Sequence, residues 1–348
     1  MRIQLSLALA ALAGCAASDV QAPHPGDSAD VTAAWAYSEQ SDGLRAASCP
    51  ESVSYLRAQA IDVRVIEAER GSSSARERQL TGLTLAGAWQ LESNESNFGG
   101  LSGLDVLPSG SLLAITDAGA FVWIGVDPDT GTPDGLGSIA YMRDMDGDYF
   151  ANKRDADSEG LSLRDGLAFV SFEQDHRVAA FNLERCGSAA RAAPVVNLAP
   201  VVGGKILSSN GGPEALALHD DALRAGFEFR KSGGSPVGTL NRDGTLADLT
   251  YTTQADPFVA TGMDAEGALT AHLFRAYDPV RGPRAIVQVD RGDQRIADAI
   301  LKQPLPVDNF EGVAIGESPN GQVRVWIISD DNFNPDQRTL LLALDLQP

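Results

Sequence analysis

The strongest constraint on the fold is a two-strand sequence pattern that recurs about every fifty residues. Each copy begins with a polar or acidic residue, continues as a short apolar strand, turns, and ends in a second apolar strand. The copies begin at Ser102, Glu159, Glu214, Thr261 and Glu311. Units of this length without helical periodicity are typical of β-propeller blades, and they exclude solenoids built from helix pairs.

The sequence therefore predicts an all-β propeller with four-stranded antiparallel blades, rich in turns because it contains 35 glycines and 18 prolines. Five copies are visible and residues 55–98 could supply another blade, so six blades are favoured, with five or seven as alternatives. We expect Leu340 to Leu346 to close the ring by pairing with an N-terminal strand such as Ile61 to Ile66. A β-sandwich with accidental similarity between its hairpins is the competing architecture.

The N-terminus has the pattern of a bacterial lipoprotein signal. Arg2 supplies a positive charge, and Leu5 to Ala13 form an apolar segment too short to span a bilayer. Leu12 to Cys15 matches the lipobox, in which the cysteine is acylated. We predict a signal peptide over residues 1–15, a flexible tether over 16–50 and the propeller domain over 51–348. The residues after Cys15 lack an inner-membrane retention aspartate, which favours an outer-membrane lipoprotein facing the periplasm or the cell surface; ordinary secretion is the alternative.

Charge and cysteine content narrow the classes of partner. The chain has 47 acidic and 27 basic residues, a formal net charge of −20, which argues against binding to nucleic acid. The same charge favours divalent cations, which could bridge an acidic site to a small phosphorylated ligand. We expect a monomer whose membrane contact is the lipid anchor. Cys49 and Cys186 could pair in an oxidising compartment or could be unrelated thiols.

The repeated pattern brings acidic residues together. In an antiparallel hairpin, the start of one strand and the end of the next lie at the same edge. Several blades would then place about seven carboxylates around one end of the channel. The expected groups are Glu159 with Glu173, Glu214 with Glu228, and Glu311 with Asp330 and Asp331.

Two interpretations of this acidic ring remain open. The carboxylates could bind Ca²⁺ or another hard divalent cation, which prefers oxygen ligands. Alternatively, each repeated glutamate could accept backbone N–H groups from the next blade and fix the spacing of the blades. Oxygen-bearing side chains are densest at the last copy, so the predicted metal ligands are Glu311, Asp330, Asp331, Asn332, Glu173 and Glu228.

Other chemical signals are weaker. Asp144 to Asp148 alternates aspartates around a glycine, which resembles part of a Ca²⁺ loop; a solvated acidic loop is the alternative. Arg230 and Arg338 could bind an anionic substrate, although salt bridges to nearby carboxylates would also explain them. There is no Gly-x-Ser-x-Gly, His-Glu-x-x-His, P-loop or dinucleotide fingerprint.

Several segments resemble the family called esterase-like activity of phytase, or the phytase-like domain. They are Asp157 to Leu161, Gly212 to Leu216, Asn309 to Val313 and Ser329 to Asn334. The resemblance covers about residues 80–346 and implies an exported bacterial β-propeller suspected of hydrolysing phosphodiesters or phosphomonoesters. Ser102 and Thr261 depart from the acidic repeat, which puts a complete carboxylate ring in doubt.

The function expected from the sequence is metal-assisted hydrolysis of a phosphoric ester by an exported lipoprotein. The predicted catalytic residues are Glu159, Glu214, Glu311 and Asp331, with a divalent cation lowering the pKa of the attacking water. The alternative is a non-catalytic binding or scaffold propeller of the cell envelope, whose glutamates are structural.

Overall fold

Residues 33–348 are described here from a computed structural model. The predicted signal peptide, Cys15 and the first part of the predicted tether lie outside this range. Before the first complete sheet come two helices and three strands. They are α1 (Tyr37–Ser48), β1 (Gln59–Glu67), α2 (Ser73–Gln79), β2 (Leu80–Thr81) and β3 (Leu83–Ser93).

The rest of the chain forms successive antiparallel hairpins, with the short helix α3 (Lys153–Ala156) between the first two groups and α4 (Leu183–Cys186) within the second. The first group contains β4 (Leu101–Val106), β5 (Leu112–Thr116), β6 (Ala120–Val126) and β7 (Pro133–Tyr141). The second contains β8 (Ser158–Arg164), β9 (Leu167–Phe172), β10 (Arg177–Asn182) and β11 (Ala193–Asn197). A small hairpin, β12 (Val201–Val202) and β13 (Lys205–Ile206), follows. The third contains β14 (Pro213–His219), β15 (Ala222–Phe227), β16 (Pro236–Leu240) and β17 (Leu246–Tyr251). The fourth contains β18 (Val259–Glu266), β19 (Leu269–Asp278), β20 (Gly282–Arg291) and β21 (Gln294–Leu301). The last contains β22 (Asn309–Glu317), β23 (Val323–Asp330) and β24 (Leu340–Leu346).

These groups are the blades of a β-propeller. The first strands β4, β8, β14, β18 and β22 contact one another in that order, and β22 contacts β4, so they form a closed inner ring. Buried apolar clusters lie between neighbouring blades, and the residues on the two faces of each strand contribute to different clusters. We number the blades 1 to 5 by these inner strands. The described residues thus form five four-stranded blades, and the preference for six is not confirmed.

The fifth blade is completed from the other end of the chain. Strand β24 pairs antiparallel with β3, from Leu340 opposite Gln90 to Leu346 opposite Leu83. The predicted closure is therefore present, but the partner expected at Ile61 to Ile66 is wrong. That segment lies in β1, which pairs with the outer strands β3 and β7 and joins blades 5 and 1. The alternating charges of β1 suit this half-exposed position, so residues 55–98 do not form a separate blade.

Buried hydroxyl groups join the blades near the channel. Ser102 Oγ donates to the carbonyl oxygen of Ser158 in the next blade (2.6 Å), and Ser171 Oγ donates to that of Pro213 (2.7 Å). Thr261 Oγ1 makes the same type of bond to Phe310, at 3.2 Å. Because a buried polar group without a partner costs free energy, these bonds favour one spacing of the blades.

The folded domain begins earlier than residue 51. Trp35 is 2% exposed and packs edge-to-face against Phe169, with ring centroids 5.4 Å apart. Helix α1 contacts β10 and β11, so this part of the predicted tether belongs to the domain. Cys49 and Cys186 form a disulfide with a Cα–Cα distance of 5.8 Å. Within residues 33–348, no helix has the length and apolar composition needed to cross a membrane.

The disulfide gives a prediction about stability. It links residues 137 positions apart, and such a bond restricts the unfolded chain. Replacing Cys49 and Cys186 together by Ala should lower the free energy of unfolding by about 2–5 kcal/mol, measured by chemical denaturation. Dithiothreitol should destabilise the parent protein and leave the double variant unchanged. Equal stability of the parent protein with and without reductant would contradict the prediction.

Candidate functional site

A β-bulge near the start of every inner strand determines which residue faces the mouth of the channel. In each blade the pairing of the first two strands shifts by one residue at the same place. Such a bulge bends the strand locally and changes the direction of a side chain. The residues within the shifts are Ser102, Glu159, Glu214, Thr261 and Glu311, which are the starts of the five sequence copies.

A second set of side chains comes from the hairpin partner of each inner strand. On the second strand of each hairpin, one residue comes directly after the residue that pairs with the inner strand just before the bulge. This gives one equivalent position in every blade. Four blades carry a carboxylate there and one carries an arginine. In blade order the residues are Asp117, Glu173, Glu228, Arg275 and Asp330.

The two sets meet in a cavity of about 280 Å³ at the mouth of the channel. Below it, the apolar side chains of Leu104, Leu161, Leu216, Met263 and Val313 leave only about 10 Å³ of free space. The mouth is therefore a pocket rather than a pore. In the described chain it is lined by Asp117, Lys153, Asp157, Glu159, Glu173, Gln174, Asn210, Glu214, Glu228, Arg275, Glu311, Asp330 and Asn332.

The repeated glutamates do not hold the blades together. Glu159, Glu214 and Glu311 are only 9%, 5% and 7% exposed, yet within residues 33–348 no backbone N–H donates to their carboxylates. The interpretation in which they fix the blade spacing is therefore wrong. Hydroxyl groups have that role at the mouth.

Two buried aspartates have a corresponding role at the opposite end of the channel. Asp105 accepts the N–H of Leu163 in the next blade at 2.5 Å, and Asp264 accepts that of Ile315 at 2.6 Å. The blades are therefore joined at both ends without the glutamates, which leaves the carboxylates at the mouth available for other partners.

Burial and mutual repulsion favour the protonated form of these carboxyl groups. Burial raises the pKa of Glu173 to about 7, and the carboxylates of Asp157 and Glu228 add to this. Burial, with Glu311 nearby, raises the pKa of Asp330 to about 8. The pKa values of Glu159 and Glu214 are raised well above the usual range, chiefly by burial.

Two basic side chains neutralise part of the ring. Arg275 pairs with Glu228 (2.8 Å) and with Glu311. Burial raises the pKa of Glu311 to about 6, and the positive charge of Arg275 prevents a larger rise. Lys153, from α3, lies 2.5 Å from Asp117 and 3.0 Å from Asp157. The remaining carboxylates have no such partner in the described chain, which leaves an excess of negative charge.

Three of these carboxylates could hold a metal ion. One oxygen from each of Asp157, Glu159 and Glu173 lies within 4.8 Å of the other two. Carboxylate oxygens suit hard divalent cations, and Gln174 Nε2 orients Asp157 through a 2.7 Å hydrogen bond. The donor set therefore fits such a cation, and it lies in blade 2 rather than in the last blade, where the sequence placed it.

The predicted site residues divide into two groups. Glu159, Glu173, Glu214, Glu228, Glu311, Asp330 and Asn332 line the mouth. Asp331 follows the last residue of β23 and is not among the lining residues. Its carboxylate instead accepts hydrogen bonds from Gly100 N and Thr339 Oγ1, both at 3.0 Å. The structure places Asp331 outside the residues that line the mouth, and its role as a ligand or catalytic residue stays a prediction.

The two predicted substrate-binding arginines are engaged elsewhere. Arg230 donates to the carbonyl oxygens of Phe258 (2.6 Å) and Gly233 (2.7 Å), which fixes loops of blade 3 against blade 4. Arg338 pairs with Asp308 at 3.3 Å and lines a neighbouring groove rather than the mouth. Arg230 also pairs with Asp256 at 3.2 Å, so both arginines form the salt bridges that were given as the alternative.

The second acidic cluster is a turn. Asp144 Oδ1 accepts the backbone N–H groups of Asp146, Gly147 and Asp148 at 2.9–3.0 Å. These bonds occupy one oxygen of the carboxylate that would begin a Ca²⁺ loop. Among the described residues, the aspartates of this turn do not form a group that could hold a metal ion, which favours the solvated acidic loop.

Sequence reasoning left Asp157, Lys153 and Arg275 out of the predicted site. The signal for Arg275 was spacing, since it follows Thr261 by the same interval that separates Glu214 from Glu228. Asp157 was recognisable too, because it precedes Glu159 as Asn309 precedes Glu311. Lys153 belongs to the segment between blades and follows no repeat.

Fold and site together define a five-bladed β-propeller with a carboxylate-lined mouth. The profile of the Phytase-like family, described as esterase-like activity of phytase, matches residues 96–254 and 283–333. This is more than half of the chain, and the chain belongs to this family. No curated protein matches the sequence significantly.

Solved structures with a similar fold are distant. PQQ-bound aldose sugar dehydrogenase from Streptomyces coelicolor is 14% identical with a TM-score of 0.41, covering 76% of this chain and 98% of its own. Glutaminyl cyclase from Myxococcus xanthus is 11% identical with a TM-score of 0.41. The match covers 85% of this chain and 100% of the cyclase chain. At such values the likeness says nothing about activity.

The raised pKa values predict an inverted dependence of stability on pH in a metal-free buffer. Glu173 and Asp330 hold their protons to about pH 7 and 8 in the folded state, whereas the unfolded chain loses them near pH 4. Because the folded state then binds more protons, the free energy of unfolding should fall as pH rises from 4 to 8. Thermal melting curves recorded between pH 4 and pH 8 in the presence of a chelator measure this change in stability.

Neutral variants provide the control. At pH 8, Glu173→Gln or Asp330→Asn should raise the free energy of unfolding by about 1–3 kcal/mol and flatten the pH profile, since each removes a repelling charge. Glu317→Gln, on the exposed end of β22, should change neither. A stability that increases towards pH 8 in chelator would contradict the raised pKa values.

Proposed function

We propose that the protein is a divalent-cation-dependent hydrolase of phosphoric esters, with its catalytic centre at the acidic mouth. One observation carries the proposal. Glu159 and Glu214 are buried around a cavity, no backbone N–H group of the described chain binds them, and their charges repel each other. Buried carboxylates that lie close together without hydrogen-bond donors can all be ionised at neutral pH only when a cation balances their charges.

Asp157, Glu159 and Glu173 are the proposed ligands of the cation, and Ca²⁺ is the first choice because all three offer carboxylate oxygens. When bound, such a cation neutralises and orients a phosphate and lowers the pKa of an attacking water. Without it, the ring of carboxylates would repel an anionic substrate from the pocket. Cation binding and phosphate binding are therefore expected to depend on each other.

Glu214 is the proposed general base. It faces Glu159, Glu173 and Glu228 across the same pocket, and these carboxylates together with burial raise its pKa. Once it is ionised, a carboxylate with a raised pKa accepts a proton from water more readily than an ordinary glutamate. In this role Glu214 takes the proton of the water that attacks phosphorus.

Arg275 is the proposed phosphate-orienting residue. Its guanidinium lies between Glu228 and Glu311 at the edge of the pocket, where it can exchange part of its carboxylate contacts for a phosphate oxygen. Asn309 Oδ1, which accepts an N–H of Arg275 at 2.5 Å, and the remaining carboxylate contacts then hold its position. The arrangement suits one phosphoryl group between a cation site and an arginine, whether the substrate is a monoester or a diester.

The test combines metal binding with turnover. In the parent protein, Ca²⁺ should raise the melting temperature by several degrees and should be required for hydrolysis of a generic phosphomonoester or phosphodiester. Glu159→Gln and Glu173→Gln should weaken Ca²⁺ binding at least tenfold in calorimetry and abolish turnover, because each removes a ligand charge.

Two controls separate the roles. Glu214→Gln should retain Ca²⁺ binding and lose at least a hundredfold in kcat, as removal of a general base does. Glu317→Gln should behave like the parent protein. If neither Ca²⁺ nor any other divalent cation stabilises the protein and no ester is hydrolysed, the scaffold function replaces the hydrolase.

We further propose that Cys15 anchors the domain to the outer membrane as a lipoprotein. The support is the lipobox from Leu12 to Cys15. In a bacterial host, Cys15→Ala should move the protein from the membrane fraction to the soluble fraction and prevent incorporation of labelled palmitate. Unchanged fractionation would contradict the anchor.

A further inference from the structure

A groove of about 890 Å³ opens beside the acidic mouth. It runs along blade 4 towards the loops before and after the first hairpin of blade 5. The two cavities share Glu228, Arg275 and Asn332, so a ligand held at Arg275 can extend from one into the other. The groove is much larger than the 280 Å³ mouth, so it has room for the part of a substrate that does not react.

Three arginines line this groove, and two of them are neutralised. Arg275 pairs with Glu228 and Glu311, and Arg338 pairs with Asp308. These guanidinium groups are therefore held in place by the protein's own carboxylates.

Arg284 differs from them. No ion pair or hydrogen bond to its side chain is present within residues 33–348, and its Nε atom is buried without a hydrogen-bond partner. The guanidinium lies 5.2 Å from the ring centroid of Phe258, which restricts its orientation without satisfying its donors. A buried donor without a partner is unfavourable. Of the three arginines that line the groove, Arg284 is therefore the one whose guanidinium has no carboxylate partner within residues 33–348.

We propose that Arg284 binds a second anionic group of the ligand, a carboxylate or phosphate on the part that is not attacked. The inference rests on the proposed function for the reacting phosphoryl group and adds the class of substrate: a phosphoric ester whose alcohol part is itself anionic. Two N–H groups of a guanidinium match the two oxygens of such a group.

The other charged groups of the groove are compatible with this role. Asp336 also lines it, but this residue is exposed, so water and salt screen its charge. Asn332 and Gln303 contribute neutral amides that can bind either hydroxyl groups or oxyanions. Arg284 is thus a specificity-determining residue at a distance from the chemistry.

The experiment uses alkyl phosphonates, which cannot be hydrolysed, so binding is measured apart from turnover. Ethyl, butyl and hexyl phosphonates are compared with the same chains bearing a terminal carboxylate, by calorimetry on the full domain with Ca²⁺. For at least one chain length, the carboxylate should tighten binding about tenfold. This gain should weaken with added salt.

The variants identify the residue responsible. Arg284→Gln should remove the gain while leaving binding of the plain phosphonates and the melting temperature with Ca²⁺ unchanged. Arg284→Lys should keep part of the gain, because the charge remains and the bidentate geometry is lost. Arg281→Gln, on the exposed turn of the same hairpin, should bind like the parent protein.

The outcomes separate the two proposals. A gain that survives Arg284→Gln, a gain at no chain length, or no phosphonate binding at all would overturn the inference. A gain that depends on Arg284, combined with no hydrolysis of any ester, would support the anion subsite and contradict the hydrolase. If Arg284→Gln fails to fold, loss or retention of the gain in Arg284→Lys and Arg284→Met decides the question.

Discussion

Repulsion between buried carboxylates is the constraint on which the site depends. Glu159, Glu173 and Glu214 occupy one pocket, and no backbone amide of the described chain balances Glu159 or Glu214. Such a group persists in a folded protein only if the rest of the structure compensates, by protonation, by basic neighbours or by a bound cation. The apolar packing between the five blades provides the stability that allows this local strain.

The bulge positions show how one repeat serves two purposes. Where the residue is Ser102 or Thr261, its hydroxyl joins adjacent blades. Where the residue at the bulge is a glutamate, its longer side chain reaches beyond the contact between blades and lines the pocket. The departures from the acidic repeat therefore mark structural positions, and the three glutamates that remain come from blades 2, 3 and 5. In blade 4, Thr261 is accompanied by Arg275, so that blade supplies a positive charge.

This asymmetry gives the mouth a direction. The carboxylates of blade 2 form the compact group that suits a cation, and Arg275 lies on the side of blades 4 and 5, next to the groove that contains Arg284. An anionic ligand would be attracted from the groove side and repelled elsewhere. Blade 4 carries Thr261 and Arg275 at positions where other blades carry carboxylates. The function proposed for the mouth and the subsite proposed for the groove both depend on this difference.

The sequence by itself determined the all-β propeller and the positions at which each hairpin carries its polar residues, because both follow from local periodicity. It also determined that most of the acidic residues meet at one mouth, because this follows from the geometry of antiparallel pairing. Tertiary structure alone decided the number of blades, since that depends on whether β1 starts a blade or bridges two. It also placed Asp331 in a loop contact, Asp157 in the metal-type cluster and Arg284 in the groove. Such roles depend on which groups from distant blades become neighbours, and that information is absent from the spacing of residues along the chain.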